Sequence, residues 1–94
     1  KIPPPFFFLS NHGGAELDVL LFEHGKRIGF EIKHSDAPRV TKAMRIAIAD
    51  LQLNILYIVT PGRVSYRAGE KIEVLSVRDI DRDSERISDI PEAA

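Results

Sequence analysis

The feature that most narrows the folds open to this chain is an alternation mirrored about His24-Gly25. Before it runs Ala-Glu-Leu-Asp-Val-Leu-Leu-Phe-Glu (15–23), and after it Lys-Arg-Ile-Gly-Phe-Glu-Ile-Lys (26–33). Polar and apolar residues alternate with period two in both arms, the pattern of paired strands. Gly25 supplies a positive φ without strain and His24 is among the residues that tolerate one, so a two-residue hairpin loop is expected. Glu23 then pairs with Lys26, Asp18 lies opposite Glu31, and Glu16 opposite Lys33.

That register sorts the side chains. Leu17, Val19 and Leu21 fall on one face with Ile28, Phe30 and Ile32, which the pattern assigns to the core. Glu16, Asp18, Glu31 and Lys33 fall on the other, in a patch walled by Leu20 and Phe22. A slip of one residue would mix the faces. Glu16 opposite Lys33 is a favourable pair, but Asp18 opposite Glu31 sets two carboxylates about 5 Å apart at their Cβ atoms. At an effective dielectric near 20 their repulsion is roughly 3 kcal/mol. A divalent cation, a shared proton or nearby cations would offset it, and hard oxygen ligands favour Mg²⁺ or Mn²⁺. The plain alternative is a solvated sheet face carrying scattered ion pairs.

The rest of the chain supplies the frame. Pro3-Pro4-Pro5 forbids helix and reads as an extended linker, and Phe6-Phe7-Phe8-Leu9 as a short strand before the turn chemistry of Asn11-His12-Gly13-Gly14. After the break at Ser35-Asp36-Ala37-Pro38, Val40, Met44, Ala47, Ile48 and Leu51 form one helical stripe, predicting a helix from about residue 39 or 41 to 53. Ile55–Val59 reads as a buried strand ended by Pro61-Gly62, and Lys71–Val77 as a strand at an edge. The order is strand, strand, strand, helix, strand, strand: an α/β (α+β) mixed sheet, with a right-handed crossover joining the strands on either side of the helix. Residues 1–9 are expected to be linker and first strand, 10–78 the core domain, and 79–94 a charged tail.

Composition excludes several classes. Ninety-four residues, 44% hydrophobic and 29% charged, suit one globular domain. Without cysteine there is neither a disulfide framework nor a thiolate metal site, which fits the cytoplasm. No apolar run approaches the roughly 20 residues of a membrane span. The start carries neither Met nor a signal core, so a fragment of a larger protein is expected. Thirteen basic residues against fourteen acidic give a net charge of −1, so any nucleic acid must be met by a local patch. His12, His24 and His34 have no metal-ligand spacing, and a solvated or locally hydrogen-bonded histidine is the expectation for each.

Asp18, then thirteen residues later Glu31-Ile32-Lys33, resembles the D-x(n)-E-x-K signature of the PD-(D/E)xK phosphodiesterases, which include restriction enzymes and junction resolvases. Gly13–Leu21, Gly29–Lys33 and Ser35–Lys42 together are similar to the C-terminal domain, of unknown function, of a widespread group of prokaryotic ATPases with an N-terminal AAA-type P-loop domain. This resemblance covers about Ser10 to Val77. It implies a restriction-endonuclease-like sheet, incomplete at the N-terminus because the helix before the first strand is absent. Leu17 stands where the classical motif has proline. No Walker A motif is present, so ATP would bind only in the missing upstream domain of the parent.

The resemblance further implies Mg²⁺-dependent cleavage of DNA. Asp18 and Glu31 would ligate the metal with the carbonyl of Ile32, and Lys33 would orient water or stabilise charge at phosphorus. Glu16 is an accessory ligand candidate, although a structural pairing with Lys33 is the stronger expectation. Arg39, Lys42 and Arg45 are candidate phosphate contacts, set against the commoner case of exposed helix charges. The competing function is a non-catalytic module that keeps the fold to bind DNA, a protein or its own ATPase domain.

Overall fold

Strands β2 (Val19–Glu23) and β3 (Lys26–Ile32) close through His24-Gly25 in the register expected: Glu23 faces Lys26, Leu21 faces Ile28 and Val19 faces Phe30. Both loop residues take positive φ, 54° and 77°, so the turn follows the strands' own twist. The structure, a computed structural model, describes residues 6–8, by the course of their backbone, and residues 17–80. Helix α1 (Lys42–Asp50) follows β3, then come strands β4 (Ile55–Thr60), β5 (Tyr66–Gly69) and β6 (Ile72–Ser76) and a 3₁₀ turn over Val77–Asp79. Strand β1 (Phe6–Phe8) pairs antiparallel with β2.

Among the described residues the sheet is mixed and six-stranded, in the order β1-β2-β3-β4-β6-β5. The strands on either side of α1 are parallel, as expected, and β6 runs parallel to β4. Two expectations are corrected. Strand β5 was not foreseen, because Tyr66-Arg-Ala-Gly is short, exposed at Tyr66 and Arg67 and bulged between Arg67 and Gly69, so it carries no period-two signal. As a consequence β6 is not an edge: it lies between β4 and β5, which is why Ile72, Val74 and Leu75 are buried.

Thr41 starts α1, its hydroxyl accepting from the Met44 N–H at 3.2 Å, and the helix ends at Asp50 rather than residue 53. The predicted stripe holds. Met44 and Ala47 are fully buried, with Val40, Ile48 and Leu51 packed around them against Leu17, Leu20, Leu53, Leu56, Ile58, Ile72 and Val74. The helix therefore covers the face carrying Leu20 and Phe22. Gly29 leaves room for this packing: a Cβ there would stand 2.8 Å from methyls of both Leu17 and Leu53, which would have to shift.

The opposite face holds a second cluster of Ile28, Ile55, Tyr57 and Leu75, bordered by Leu21 and Phe30. Phe30 and Tyr57 stack there with ring centres 5.5 Å apart. The sequence assigned the core to this face. In the structure it is the less covered of the two, with Ile32 52% exposed. Leu17 does not share it with Val19 but joins the helix side, so strict alternation breaks at Asp18.

Candidate functional site

Strands β3, β4 and β6 are parallel, so Ile32-Lys33, Thr60 and Ser76 emerge at one end of the sheet. The carboxyl ends of parallel strands are where α/β sheets usually place their ligands. Glu31 is one residue short of the end of β3, on the face that α1 covers. It is only 5% exposed, so it does not stand on a solvated surface. Lys33, the first residue past the strand's end, brings its Nζ to 3.2 Å from Glu31 Oε2. A carboxylate held this deep needs such a partner, because burying an uncompensated charge costs several kcal/mol.

Asp18 reaches the same strand end by another route. Its backbone N–H donates to the Phe30 carbonyl at 3.0 Å, and its Oδ2 accepts from the Ile32 N–H at 2.7 Å. The side chain thus takes the place of a ladder carbonyl just where β2 begins. This explains the broken alternation: the chain turns at Asp18 so that Leu17 can enter the core. Because a strand residue's N–H and C=O point to the same side, the Ile32 carbonyl opens towards Asp18 as well. Asp18, Glu31, Ile32 and Lys33 are therefore gathered around the last turn of one strand. Glu16, expected opposite Lys33, lies outside the described residues.

A layer of buried hydroxyls supports this end, and sequence reasoning passed over it. Thr60 Oγ1 donates to the Ser35 carbonyl at 2.5 Å and accepts from the Gly62 N–H at 3.0 Å. Ser76 Oγ donates to the Gly62 carbonyl at 2.6 Å, and Ser65 Oγ donates to Asp79 Oδ2 at 2.7 Å while accepting from the Ser76 N–H. Thr60 and Ser76 are register partners and fully buried. Their hydroxyls tie the loop after Lys33 to the loops after β4 and β6. The available signal was a polar hydroxyl residue closing each of two mainly apolar strands. Asp79, placed by sequence at the head of the charged tail, is part of this layer; residues 81–94 lie outside the described residues.

The remaining candidates separate. Arg39 is exposed on the connection from Lys33 into α1, and Lys42 is exposed as the first residue of that helix. Arg45 is also exposed but lines a cleft at the hairpin end of the molecule, away from Lys33. His24 occupies the turn, with Nε2 3.5 Å from Glu23 Oε2, and His34 is exposed; His12 lies outside the described residues. Among the described residues no three His, Asp or Glu side chains converge as a metal cage. A cation here would rest on Asp18, Glu31 and a backbone oxygen. No helix among them is long and apolar enough to cross a membrane.

Comparison with known proteins places these features in a family. Uncharacterized proteins of Mycobacterium tuberculosis (Rv2008c) and Mycobacterium bovis (Mb2031c) are each 42% identical to it over 60 residues. That stretch is 64% of this chain but only 14% of either relative, so the chain corresponds to a small part of those proteins. No solved structure matches it. The model of the family DUF4143, a domain of unknown function, matches residues 1–80, and the chain belongs to that family.

Proposed function

We propose that this domain is a PD-(D/E)xK-like phosphodiesterase module that acts on DNA with Mg²⁺ or Mn²⁺, carried by a larger prokaryotic ATPase. The observation that carries the reading is the convergence of Asp18 and the Glu31–Lys33 pair on the end of β3. The donor set fits the cation: two carboxylates and the Ile32 carbonyl are all hard oxygens, and Mg²⁺ commonly takes one or two carboxylates with water and phosphate. Asp18, Glu31 and Ile32 would hold it. When bound, such an ion supplies Lewis acidity and a water nucleophile. Lys33, already beside Glu31, offers an ammonium to orient that water or to take up charge developing on phosphate oxygens. Arg39 and Lys42, both exposed, are the candidate contacts to the backbone of a nucleic acid, which a chain of net charge −1 would have to meet locally.

One observation favours a second reading, a non-catalytic module that binds DNA, a partner protein or its own ATPase domain. The Asp18 carboxylate is already used to close the sheet at Ile32. Titrating Mn²⁺ while following thermal unfolding separates the two. The metal-dependent reading expects a rise in Tm that is lost in Asp18→Asn, a change that keeps an oxygen acceptor for the Ile32 N–H and removes the charge. No rise in the unsubstituted protein refutes it. Nicking by the full-length protein, lost in Lys33→Ala, would then distinguish catalysis from metal binding alone.

A further inference from the structure

At the end of the molecule remote from Lys33, the hairpin turn, the last turn of α1 and the β5–β6 turn enclose an open cleft of about 620 Å³. Among the described residues its floor is apolar, from Ile48, Ala49 and Leu53, and Arg27, Arg45 and Lys71 line it against one carboxylate, Glu70. The cleft is thus locally cationic on a chain of net charge −1. Arg27 is fixed in place: Nη1 donates to the Leu51 carbonyl at 3.1 Å and the guanidinium lies 5.2 Å from the centre of the Phe22 ring. A guanidinium has five N–H donors, so that bond leaves others for a ligand.

The backbone supplies a second, independent indication. Gln52 and Lys71, both in the cleft wall, have φ of 53° and 63°, the left-handed region where glycine or asparagine is the relaxed choice. At both positions the chain carries a long polar side chain instead. Strain of this kind concentrates where a side chain has work beyond the turn. We propose that this cleft is a binding site for a small phosphate-bearing anion, held by Arg45 and Lys71 on a base set by Arg27. The volume lies in the range of small-molecule sites, and the apolar floor would accept a flat ring attached to the phosphate.

The test is calorimetric titration of the protein at fixed ionic strength, in metal-free buffer, with inorganic pyrophosphate and separately with AMP. Saturable binding is expected, weakened about tenfold or more in Lys71→Asn and in Arg45→Gln, the loss of one charge-assisted contact each. Lys71→Asn removes the charge while relaxing the turn, so its thermal stability is expected to hold or rise and lost binding is not lost folding. Tighter binding of AMP than of pyrophosphate would identify a nucleotide as the source of the phosphate, and the reverse order an inorganic or polyphosphate ligand. Absence of saturable heat with both probes at millimolar concentration overturns the proposal. So does binding that survives Lys71→Asn and Arg45→Gln but disappears in Lys33→Ala, which would place the anion at the opposite end.

Discussion

Adding one methyl group at Gly62 tests how firmly the candidate site is held. A Cβ at this position would press on the Asp36 carbonyl oxygen, with the Asp36 carbonyl carbon and Cα also only 3.2 and 3.3 Å away. The obstacle is backbone, which cannot rotate aside as a leucine methyl can. Gly62 cannot retreat either, because its N–H is bound to Thr60 Oγ1 at 3.0 Å and its carbonyl accepts from Ser76 Oγ at 2.6 Å. The loop from Ser35 to Ala37 must therefore move, stretching the 2.5 Å bond from Thr60 to the Ser35 carbonyl. Overpacking of this kind costs about 1–3 kcal/mol. For a domain of this size each kcal/mol lowers Tm by roughly 4–8 °C, so Gly62→Ala is expected to melt about 8–16 °C lower for a cost near 2 kcal/mol. Gly29→Ala is the control. Its Cβ would meet methyl ends of Leu17, Leu53 and Leu56, at 2.8, 2.8 and 3.2 Å, and these can shift. An alanine in a strand also recovers roughly 0.5–1 kcal/mol of the entropy glycine loses on folding. Circular dichroism melts of both variants decide the matter. If Gly62→Ala melts as the parent does, or Gly29→Ala falls further, the hydroxyl layer does not clamp this end of the sheet.

Two further substitutions probe the core and the buried charge. Met44→Ala, at a fully buried position of α1, is expected to cost about 2–5 kcal/mol in urea unfolding, and a loss below 1 kcal/mol would mean that the helix does not seal the sheet. Lys33→Met strands Glu31 without its amine and is expected to cost about 1–3 kcal/mol, reduced from a fully buried pair because the Lys33 side chain is 35% exposed. Adding Glu31→Leu should restore most of that loss; a double variant as unstable as the single one would show that the pair is not what makes the buried carboxylate tolerable.

The hairpin was legible in the sequence because its information is local. A glycine able to take positive φ and an alternating arm on each side admit one register, and β2 and β3 adopt it. The same holds for the stripe of α1, where a 3.6-residue period alone selects Met44 and Ala47 for burial. Strand β5 was not legible, since an exposed, bulged edge strand needs no apolar pattern and is held by pairing with β6.

What the sequence by itself determined is which residues lie together: Asp18, Glu31 and Lys33 at one strand end, and the apolar partners across the turn. Only the tertiary structure decided which side of the sheet the helix would cover, and period two cannot contain that choice because it separates faces without ranking them. Packing of α1 over Leu20 and Gly29 made Glu31 a buried carboxylate instead of a surface one. The same packing drew Leu17 inward where Asp18 meets the Ile32 N–H, while the parallel pairing of β4 and β6 set Thr60 beside Ser76 in one layer beneath the site.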